Sequence, residues 1–275
     1  MTARVRADLP TARRIVVKVG SSSISGTSSW RIPKLVYALA EAHGRGAEVL
    51  LVSSGAIATG MPFLGLDSRP TDLATQQAAA AVGQNILVYR YQEALRPFGI
   101  VAGQVLLTAG DLDDAVPRSN ARRAIERLLG LRILPIVNEN DTVATHEIRF
   151  GDNDRLAALV ARLVGADALV LLSDVDSLYT KPPTEPGAER IDTIAFGQDL
   201  RDVEFGSTIV NSVGTGGAST KASAARLAAG AGIGVLVTSA DLVAEALAGD
   251  EVGTWFEPAD VANAALTGPV DTLAR

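Results

Sequence analysis

Two short loops rich in carboxylates and amides lie close together in the sequence and are its most informative candidates for chemistry. The first, Asn138–Asp141, follows an apolar run, and the second, Gly151–Asp154, precedes an apolar helical pattern. Gly, Asn and Asp usually form turns, which is the simplest interpretation of either loop alone. Two such loops, each attached to an apolar segment that would hold it rigid, suit a small zwitterion and a metal-bound phosphate.

Two lysines from opposite ends of the chain could bind that phosphate. Lys18 interrupts an apolar run, where its ammonium group is costly unless it reaches a partner or a pocket; the alternative is an edge position or a stem extended to solvent. Lys221 ends the glycine-rich segment Gly214–Lys221, which opens a helix of small residues. Glycines allow close backbone approach, and free N–H groups at a helix start favour phosphate oxygens, although a capped surface loop is the alternative. The two lysines together predict a phosphate clamp.

Several classes of protein are excluded or disfavoured by what the sequence lacks. There is no P-loop signature, and the first strand does not continue into the glycine pattern of dinucleotide-binding enzymes. The chain has no cysteine, which excludes disulfides, thiolate catalysis and cysteine-bound metals. The two histidines, His43 and His146, are predicted to be surface residues, and two histidines do not make a zinc site.

Composition indicates a globular protein whose partners are small molecules. Apolar residues make up 47% of the 275, and the formal net charge is −6 without any run of Lys or Arg. This disfavours nucleic acid and anionic membranes as main partners. The first residues lack the apolar segment of a signal peptide, and no stretch is long enough to span a membrane. A soluble, cytoplasmic protein is expected.

Apolar runs of strand length alternate with helical patterns along the chain. The predicted strands are Arg14–Val19, Glu48–Val52, Ile100–Leu107, Ile133–Val137, Ala168–Leu172 and Val235–Val237. The predicted helices are Ile32–His43, Asp72–Leu95 with Thr71 as its N-cap, Pro117–Leu129 and Asp152–Val164. A hairpin is expected around Thr142–Phe150, and Tyr179–Val210 is expected to form loops and an excursion beside the sheet.

Continuous Val/Ile/Leu strands between helices predict an α/β fold with a mainly parallel sheet covered on both faces. The simplest organisation is a single domain over residues 1–275, with a front lobe to about 165 and a back lobe from about 166. Ligands of such sheets lie at the carboxyl ends of the strands. The polar clusters after the predicted strands all fall at that one edge.

Five segments together resemble the glutamate 5-kinase branch of the amino acid kinase fold family. They are VKVGSS at 17–22, VSSGAIA at 52–58, VNEND at 137–141, GDND at 151–154 and GTGGASTK at 214–221. The resemblance implies a three-layer αβα sandwich and an enzyme that transfers the γ-phosphate of ATP to the γ-carboxylate of L-glutamate, the first step of proline biosynthesis. It also implies Mg²⁺ as cofactor, proline as a feedback inhibitor and a homo-oligomer, either a dimer or a tetramer.

The same resemblance implies a role for each matched residue. Asp154 would orient Lys18 and Lys221, which are the expected catalytic groups. L-Glutamate would be held by Ser54, Asp141 and Asn153. ATP would be held by Lys18, Ser173, Asp174, Thr215, Gly216, Gly217, Ala218, Ser219, Thr220 and Lys221. No protein side chain is expected to be a dedicated metal ligand, since Mg²⁺ usually binds through phosphate oxygens and water.

Two departures from the family pattern and two alternatives stand beside this interpretation. Many members carry a C-terminal PUA domain, which is expected to be absent here, and Arg149 stands where some members have lysine, which changes the donor geometry. A kinase for N-acetylglutamate, aspartate, carbamate or UMP would share the glycine loops. A non-catalytic amino-acid sensor on the same fold is the alternative from another class, and ATP turnover with glutamate distinguishes it.

Overall fold

The computed structural model describes residues 2–143, 153–200 and 217–260, and most of its strands lie in one mixed sheet. The ten strands are β1 Arg14–Val19, β2 Glu48–Ser53, β3 Ala102–Leu107, β4 Leu134–Glu139, β5 Ala168–Ser173, β6 Leu178–Tyr179, β7 Arg190–Ile191, β8 Thr193–Ile194, β9 Gly234–Ser239 and β10 Thr254–Phe256. Eight of them form the main sheet in the order β3-β4-β2-β1-β5-β9-β10-β8, and β6 pairs with β7.

The predicted mainly parallel sheet is confirmed. The six longer strands of the main sheet are parallel to one another, and β1 lies at the centre between β2 and β5. The short strand β10 runs antiparallel to β9, and β8 pairs with β10. Because β1 is flanked on both sides, its side chains face only the two helical layers.

Helices cover both faces of the sheet, as a three-layer αβα sandwich requires. The helices are α1 Ser21–Ile24, α2 Ile32–Gly44, α3 Ala56–Gly60, α4 Leu73–Leu95, α5 Ala109–Asp113, α6 Ala115–Gly130, α7 Asn153–Val164, α8 Ala218–Ala229 and α9 Val243–Ala248. One apolar core joins the sheet to α2, α4 and α9, and a second joins its other face to α6, α7 and α8. Within the described ranges, no helix has the length and apolarity needed to cross a membrane.

Alternation along the strands decides which layer each polar strand residue meets. Val16 belongs to the core under α7 and α8, so Lys18, two residues on, faces the same layer. Leu51 and Ile136 belong to the core under α4, so Ser53 and Asn138, at the same alternation, face α4. At the carboxyl edge of the sheet, Lys18 therefore faces the layer of α7 and α8, whereas Ser53 and Asn138 face the layer of α4.

The predicted strands and helices are found within two residues of their expected ends, and two other details differ. The N-cap of α4 is Asp72, whose carboxylate accepts the N–H of Thr75, and the prediction of Thr71 was wrong by one residue. Part of the irregular segment after Tyr179 joins the main sheet as β8, because β10 offers it an edge to pair with. Most of the predicted hairpin at 142–150 lies outside the described residues.

A close crossing of α3 and α4 fixes the chain just after β2. A Cβ atom at Gly60 would lie 1.9 Å from the carbonyl oxygen of Ala79, and one at Gly83 would lie 1.8 Å from that of Ala56. The two backbones are therefore in direct contact. Gly55, with φ of 90°, turns the chain from β2 into α3 and leaves Ser54 at the carboxyl edge of the sheet.

We expect Gly83→Ala to lower the free energy of unfolding by at least about 2 kcal/mol, because the new methyl group has no room between the two backbones. Gly130→Ala is the matched control, since nothing lies within 4 Å of a Cβ atom there. Denaturant unfolding of both variants measures the difference. Equal stability of the two variants would contradict the close crossing.

Candidate functional site

A buried carboxylate between two ammonium groups forms the centre of the candidate site. Asp154 is fully buried, and its two oxygens lie 2.5 Å from Nζ of Lys18 and 3.0 Å from Nζ of Lys221. Both lysines are also buried, with 3% and 5% exposure. The alternative of an edge position or a solvent-extended stem for Lys18 is thereby excluded.

The three charges stabilise one another against the cost of burial. Burial disfavours the ionised carboxylate of Asp154, yet the charges and hydrogen bonds of Lys18 and Lys221 outweigh it and lower the pKa. Asp154 is therefore ionised at neutral pH. Two cations and one anion leave a net positive charge at this point of the fold, which suits a polyanionic ligand.

Each member of the cluster comes from a different element, and the sheet topology brings them together. Lys18 is the fifth residue of the central strand β1, Asp154 is in the first turn of α7, and Lys221 is in the first turn of α8. The helices α7 and α8 pack on the same face of the sheet. That face is the one to which alternation directs Lys18.

The described part of the glycine-rich loop joins the same cluster. Gly217 is the N-cap of α8, and its N–H donates to the hydroxyl of Thr220 at 2.9 Å. The Thr220 hydroxyl also lies 3.4 Å from Asp154 Oδ2. Thr220 thus caps the start of α8, which is the alternative that the sequence left open for this loop. It also contacts the charged cluster.

Ala218 and Ser219 complete the first turn of α8 beside this contact. The predicted phosphate-binding residues Thr215 and Gly216 lie outside the described residues. The ATP-binding role of the loop stays a prediction.

A second polar group, built from amides, lies at the ends of the neighbouring strands β2 and β4. The side-chain nitrogen of Asn153 donates to the main-chain oxygen of Ser53 at 2.8 Å and to Oδ1 of Asn138 at 2.9 Å. Nδ2 of Asn138 donates to Oε1 of Gln84, on α4, at 2.7 Å. Asn153 is adjacent to Asp154 in the chain, so the amide group and the charged cluster meet at the start of α7.

The other two predicted glutamate-binding residues lie at the same edge. Ser54 directly follows β2, and Asp141 follows β4 by two residues. β2 and β4 are paired neighbours, with Val52 opposite Val137. Ser54, Asp141 and Asn153 therefore follow or adjoin two adjacent strand ends, while their roles in binding remain predictions.

The predicted nucleotide-binding pair lies at the end of β5. Ser173 is the last residue of that strand, and Asp174 follows it in an exposed position. The hydroxyl groups of Ser22 and Ser23 donate to Oδ1 of Asp174 at 3.0 and 3.2 Å. These contacts connect the ends of β1 and β5 on the side of the site away from Asn153.

Sequence reasoning missed the contacts of Ser22, Ser23 and Gln84. Ser22 belonged to a matched segment and Ser23 follows it directly, but nothing in the sequence indicated that they meet Asp174. Gln84 is one of two glutamines, with Gln76, that are buried in the Ala-rich helix α4. A buried polar residue on an apolar helix face was the only signal that could have pointed to it.

Of the two histidines, only His43 lies in the described residues. It is half-buried at the end of α2, where its ring contacts the backbone oxygen and the guanidinium of Arg132. Burial and the charge of Arg132 lower its pKa. His43 therefore belongs to a contact at the end of α2 and not to the candidate site.

The donor set does not form a metal site of its own. Among the described residues there is no group of three or more His, Asp or Glu side chains placed to share an ion. Both oxygens of Asp154 already face ammonium groups. A cation at this site would have to arrive with a ligand that supplies most of its oxygens.

The geometry can therefore bind an anion at the charged cluster and a small polar molecule at the amide group beside it. The two subsites share the start of α7, where Asn153 and Asp154 are adjacent. No general base lies in the charged cluster, so the reaction it favours is one whose nucleophile is already ionised. Transfer of a phosphoryl group to a carboxylate satisfies that condition.

Comparison with known proteins is consistent with this chemistry. The sequence model of the family described as "Amino acid kinase family" matches residues 13–239. Among curated proteins, the glutamate 5-kinase of Clavibacter sepedonicus is 73% identical over 253 residues, which cover 92% of this chain and 97% of that protein. The glutamate 5-kinase of Leifsonia xyli subsp. xyli is 68% identical over 259 residues, 94% of this chain and 96% of that protein.

Among solved structures, carbamate kinase from Giardia lamblia bound to AMP-PNP superposes with a TM-score of 0.67 at 17% identity. The match covers 91% of this chain and all of that one. At this identity the likeness concerns the fold alone.

We expect Lys18→Ala and Lys221→Ala each to reduce kcat for phosphoryl transfer by about a hundred- to a thousandfold, the scale for losing one transition-state donor. The charge that they neutralise grows as the phosphoryl group leaves. Steady-state kinetics, with circular dichroism to verify the fold, measures the effect. A folded variant with unchanged kcat would exclude that lysine from the mechanism.

Proposed function

Because the chain belongs to the amino acid kinase family, we propose that it transfers the γ-phosphoryl group of ATP to the γ-carboxylate of L-glutamate. The product is L-glutamyl 5-phosphate, the first intermediate of proline biosynthesis. The observation that carries the reaction type is the buried Lys18–Asp154–Lys221 cluster beside an amide-lined subsite. The identity of 73% to a glutamate 5-kinase over nearly its whole length supports glutamate as the acceptor.

The reaction requires alignment and charge neutralisation more than acid–base chemistry. An oxygen of the γ-carboxylate forms the new bond to the γ-phosphorus, and the bond from that phosphorus to the β–γ bridging oxygen breaks as ADP leaves. The carboxylate is already ionised at neutral pH, so no general base is needed. Lys18 and Lys221 neutralise the transferring group, and Asp154 holds both ammonium groups in place.

The two substrates would approach this cluster from opposite sides. L-Glutamate would occupy the subsite of Ser54, Asp141 and Asn153 in the front lobe. ATP would lie across the start of α8 and the end of β5, with Ser173 and Asp174 near the nucleoside and residues 215–221 along the phosphates. The front lobe would thus bind the amino acid and the back lobe the nucleotide.

Magnesium is expected to arrive as Mg-ATP. Asp154 is committed to two lysines, and the described residues lack a group of acidic side chains that could hold the ion alone. This donor set fits an ion bound mainly by phosphate oxygens and water. When bound, Mg²⁺ would neutralise part of the phosphate charge during transfer.

Three broader properties remain proposals that the resemblance supports. A homo-oligomer, either a dimer or a tetramer, would cover exposed side chains such as Phe63 and Tyr89. A cytoplasmic location fits a supply of ATP and glutamate. No nucleic-acid or membrane partner is expected, since the net charge is −6.

The decisive experiment is turnover of L-glutamate with Mg-ATP, with the acyl phosphate trapped by hydroxylamine as its hydroxamate. We expect hydroxamate to form with L-glutamate and to form faster than with N-acetylglutamate or aspartate. ADP release with carbamate or UMP tests the remaining family activities. Preference for another acceptor would reassign the substrate, and the absence of ATP turnover with all of them would favour the sensor.

Asp141→Asn separates recognition of the substrate from chemistry. Asp141 follows β4 at the amino-acid side of the site, where its carboxylate could face the α-ammonium group without touching ATP. Such a contact is equal in the ground and transition states, so the variant should raise KM for glutamate by about ten- to a hundredfold and spare kcat. A lower melting temperature with unchanged KM would show that Asp141 only stabilises its turn.

Free L-proline is expected to compete with glutamate. The family's end product would overlap the amino-acid subsite through the loop at 147–154, most of which lies outside the described residues. Proline should therefore raise the apparent KM for glutamate without lowering kcat. Activity that is unchanged by millimolar proline at subsaturating glutamate would contradict this proposal.

A further inference from the structure

Gln84 is a buried polar residue on the helix that covers the amino-acid side of the sheet. It is 7% exposed, and later residues of the same helix, Leu87 and Tyr91, belong to the apolar core. Its Oε1 accepts a hydrogen bond from Nδ2 of Asn138 at 2.7 Å. Its Nε2 is buried and has no hydrogen-bond partner among the described residues.

The direction of each amide in this group is fixed by the backbone. The N–H of Glu139 donates to Oδ1 of Asn138 at 2.9 Å, so the other end of that amide, Nδ2, must face Gln84. Because Nδ2 of Asn138 is a donor, Gln84 must present its acceptor oxygen, Oε1, to it. The main-chain oxygen of Ser53 can only accept, so Asn153 must present its nitrogen to it.

These fixed directions determine which atom Asn153 can offer to a ligand. Its side-chain nitrogen has two hydrogens, and two acceptors, Ser53 O and Asn138 Oδ1, lie 2.8 and 2.9 Å from it. Only the oxygen of that amide is left to bind a substrate. An amide oxygen accepts a hydrogen bond, so it suits an ammonium group and not a carboxylate.

We propose that Gln84 is a positioning residue that, through Asn138, holds the amide of Asn153 with its oxygen towards the α-ammonium group of the amino-acid substrate. The inference rests on the proposed function and deepens it. If Gln84 no longer accepts from Asn138, the N–H of Glu139 still holds Oδ1 of the Asn138 amide, but the amide can then turn more easily. Asn153 then keeps only the Ser53 oxygen as a firm acceptor, so its own amide oxygen is held less firmly towards the ammonium group.

Stability by itself does not explain a glutamine at this position. A buried donor without a partner is costly, and an apolar residue of similar length would avoid that cost. Replacing Gln84 by such a residue removes one unpaired donor, its own Nε2, and creates another, Nδ2 of Asn138. The net change in stability should therefore be small, and what the glutamine contributes is its acceptor oxygen.

The test compares two ligands that differ only in the ammonium group. L-Glutamate has it, and glutarate, used as a competitive inhibitor, is the same dicarboxylate without it. In Gln84→Met, which keeps the length of the side chain and removes the acceptor, we expect KM for glutamate to rise by about tenfold, as for loss of a hydrogen bond to a charged group. The inhibition constant of glutarate, KM for ATP and kcat should stay unchanged.

Gln84→Glu is the rescue variant. A carboxyl group, whether ionised or protonated, still offers an acceptor oxygen to Nδ2 of Asn138, so KM for glutamate should return most of the way to the wild-type value. Tyr91→Phe is the control on the same helix: it removes the 2.9 Å contact between the hydroxyl groups of Tyr91 and Ser53 and leaves the three amides intact. It should lower the melting temperature and leave the ratio of the two ligand constants unchanged.

The outcomes separate this inference from the proposed function. Absence of glutamate turnover in the wild-type enzyme would contradict the proposed function and the inference with it. Wild-type turnover with an unchanged glutamate KM in Gln84→Met would overturn the inference alone. Equal weakening of glutamate and glutarate would also overturn it, because a general change of the pocket, and not the ammonium contact, would then be the cause.

Discussion

The ionised carboxylate of Asp154 is the interaction on which the rest of the site depends. It is fully buried, and without it the ammonium groups of Lys18 and Lys221 would face each other in a site with little water. A buried charge is tolerated only when it is paired, and here one anion pairs with two cations. The excess positive charge is then available to a ligand, and this would let a structural ion pair also serve the proposed phosphate binding.

The same few residues at the start of α7 connect that cluster to the amide group. Asn153 bonds to the ends of β2 and β4, and Asp154 bonds to β1 and α8. Any shift of this helix start would therefore move the proposed amino-acid subsite and the proposed phosphate subsite together. Because the acceptor and the transferring group must be aligned to a fraction of an ångström, fixing both subsites from one helix turn favours in-line transfer.

The two polar groups of the site are packed against helices on different faces of the sheet. The lysine cluster lies on the face covered by α7 and α8, and the amide group reaches α4 on the other face. The direct backbone contact at Gly60 and Gly83 holds α4 close to the segment that follows Ser54. The packing of small residues on α4 therefore also constrains the geometry of the proposed glutamate subsite.

The sequence by itself determined the local elements, the mainly parallel sheet and the list of polar residues at its edge, because apolar periodicity and glycine turns are local properties. It named Lys18, Asp154 and Lys221, but their meeting depends on the strand order, which places β1 at the centre under α7 and α8. It missed Gln84 and the contacts of Ser22 and Ser23 with Asp174. Those contacts join residues far apart in the chain, and only tertiary packing decides which side chains meet there and which way an amide must point.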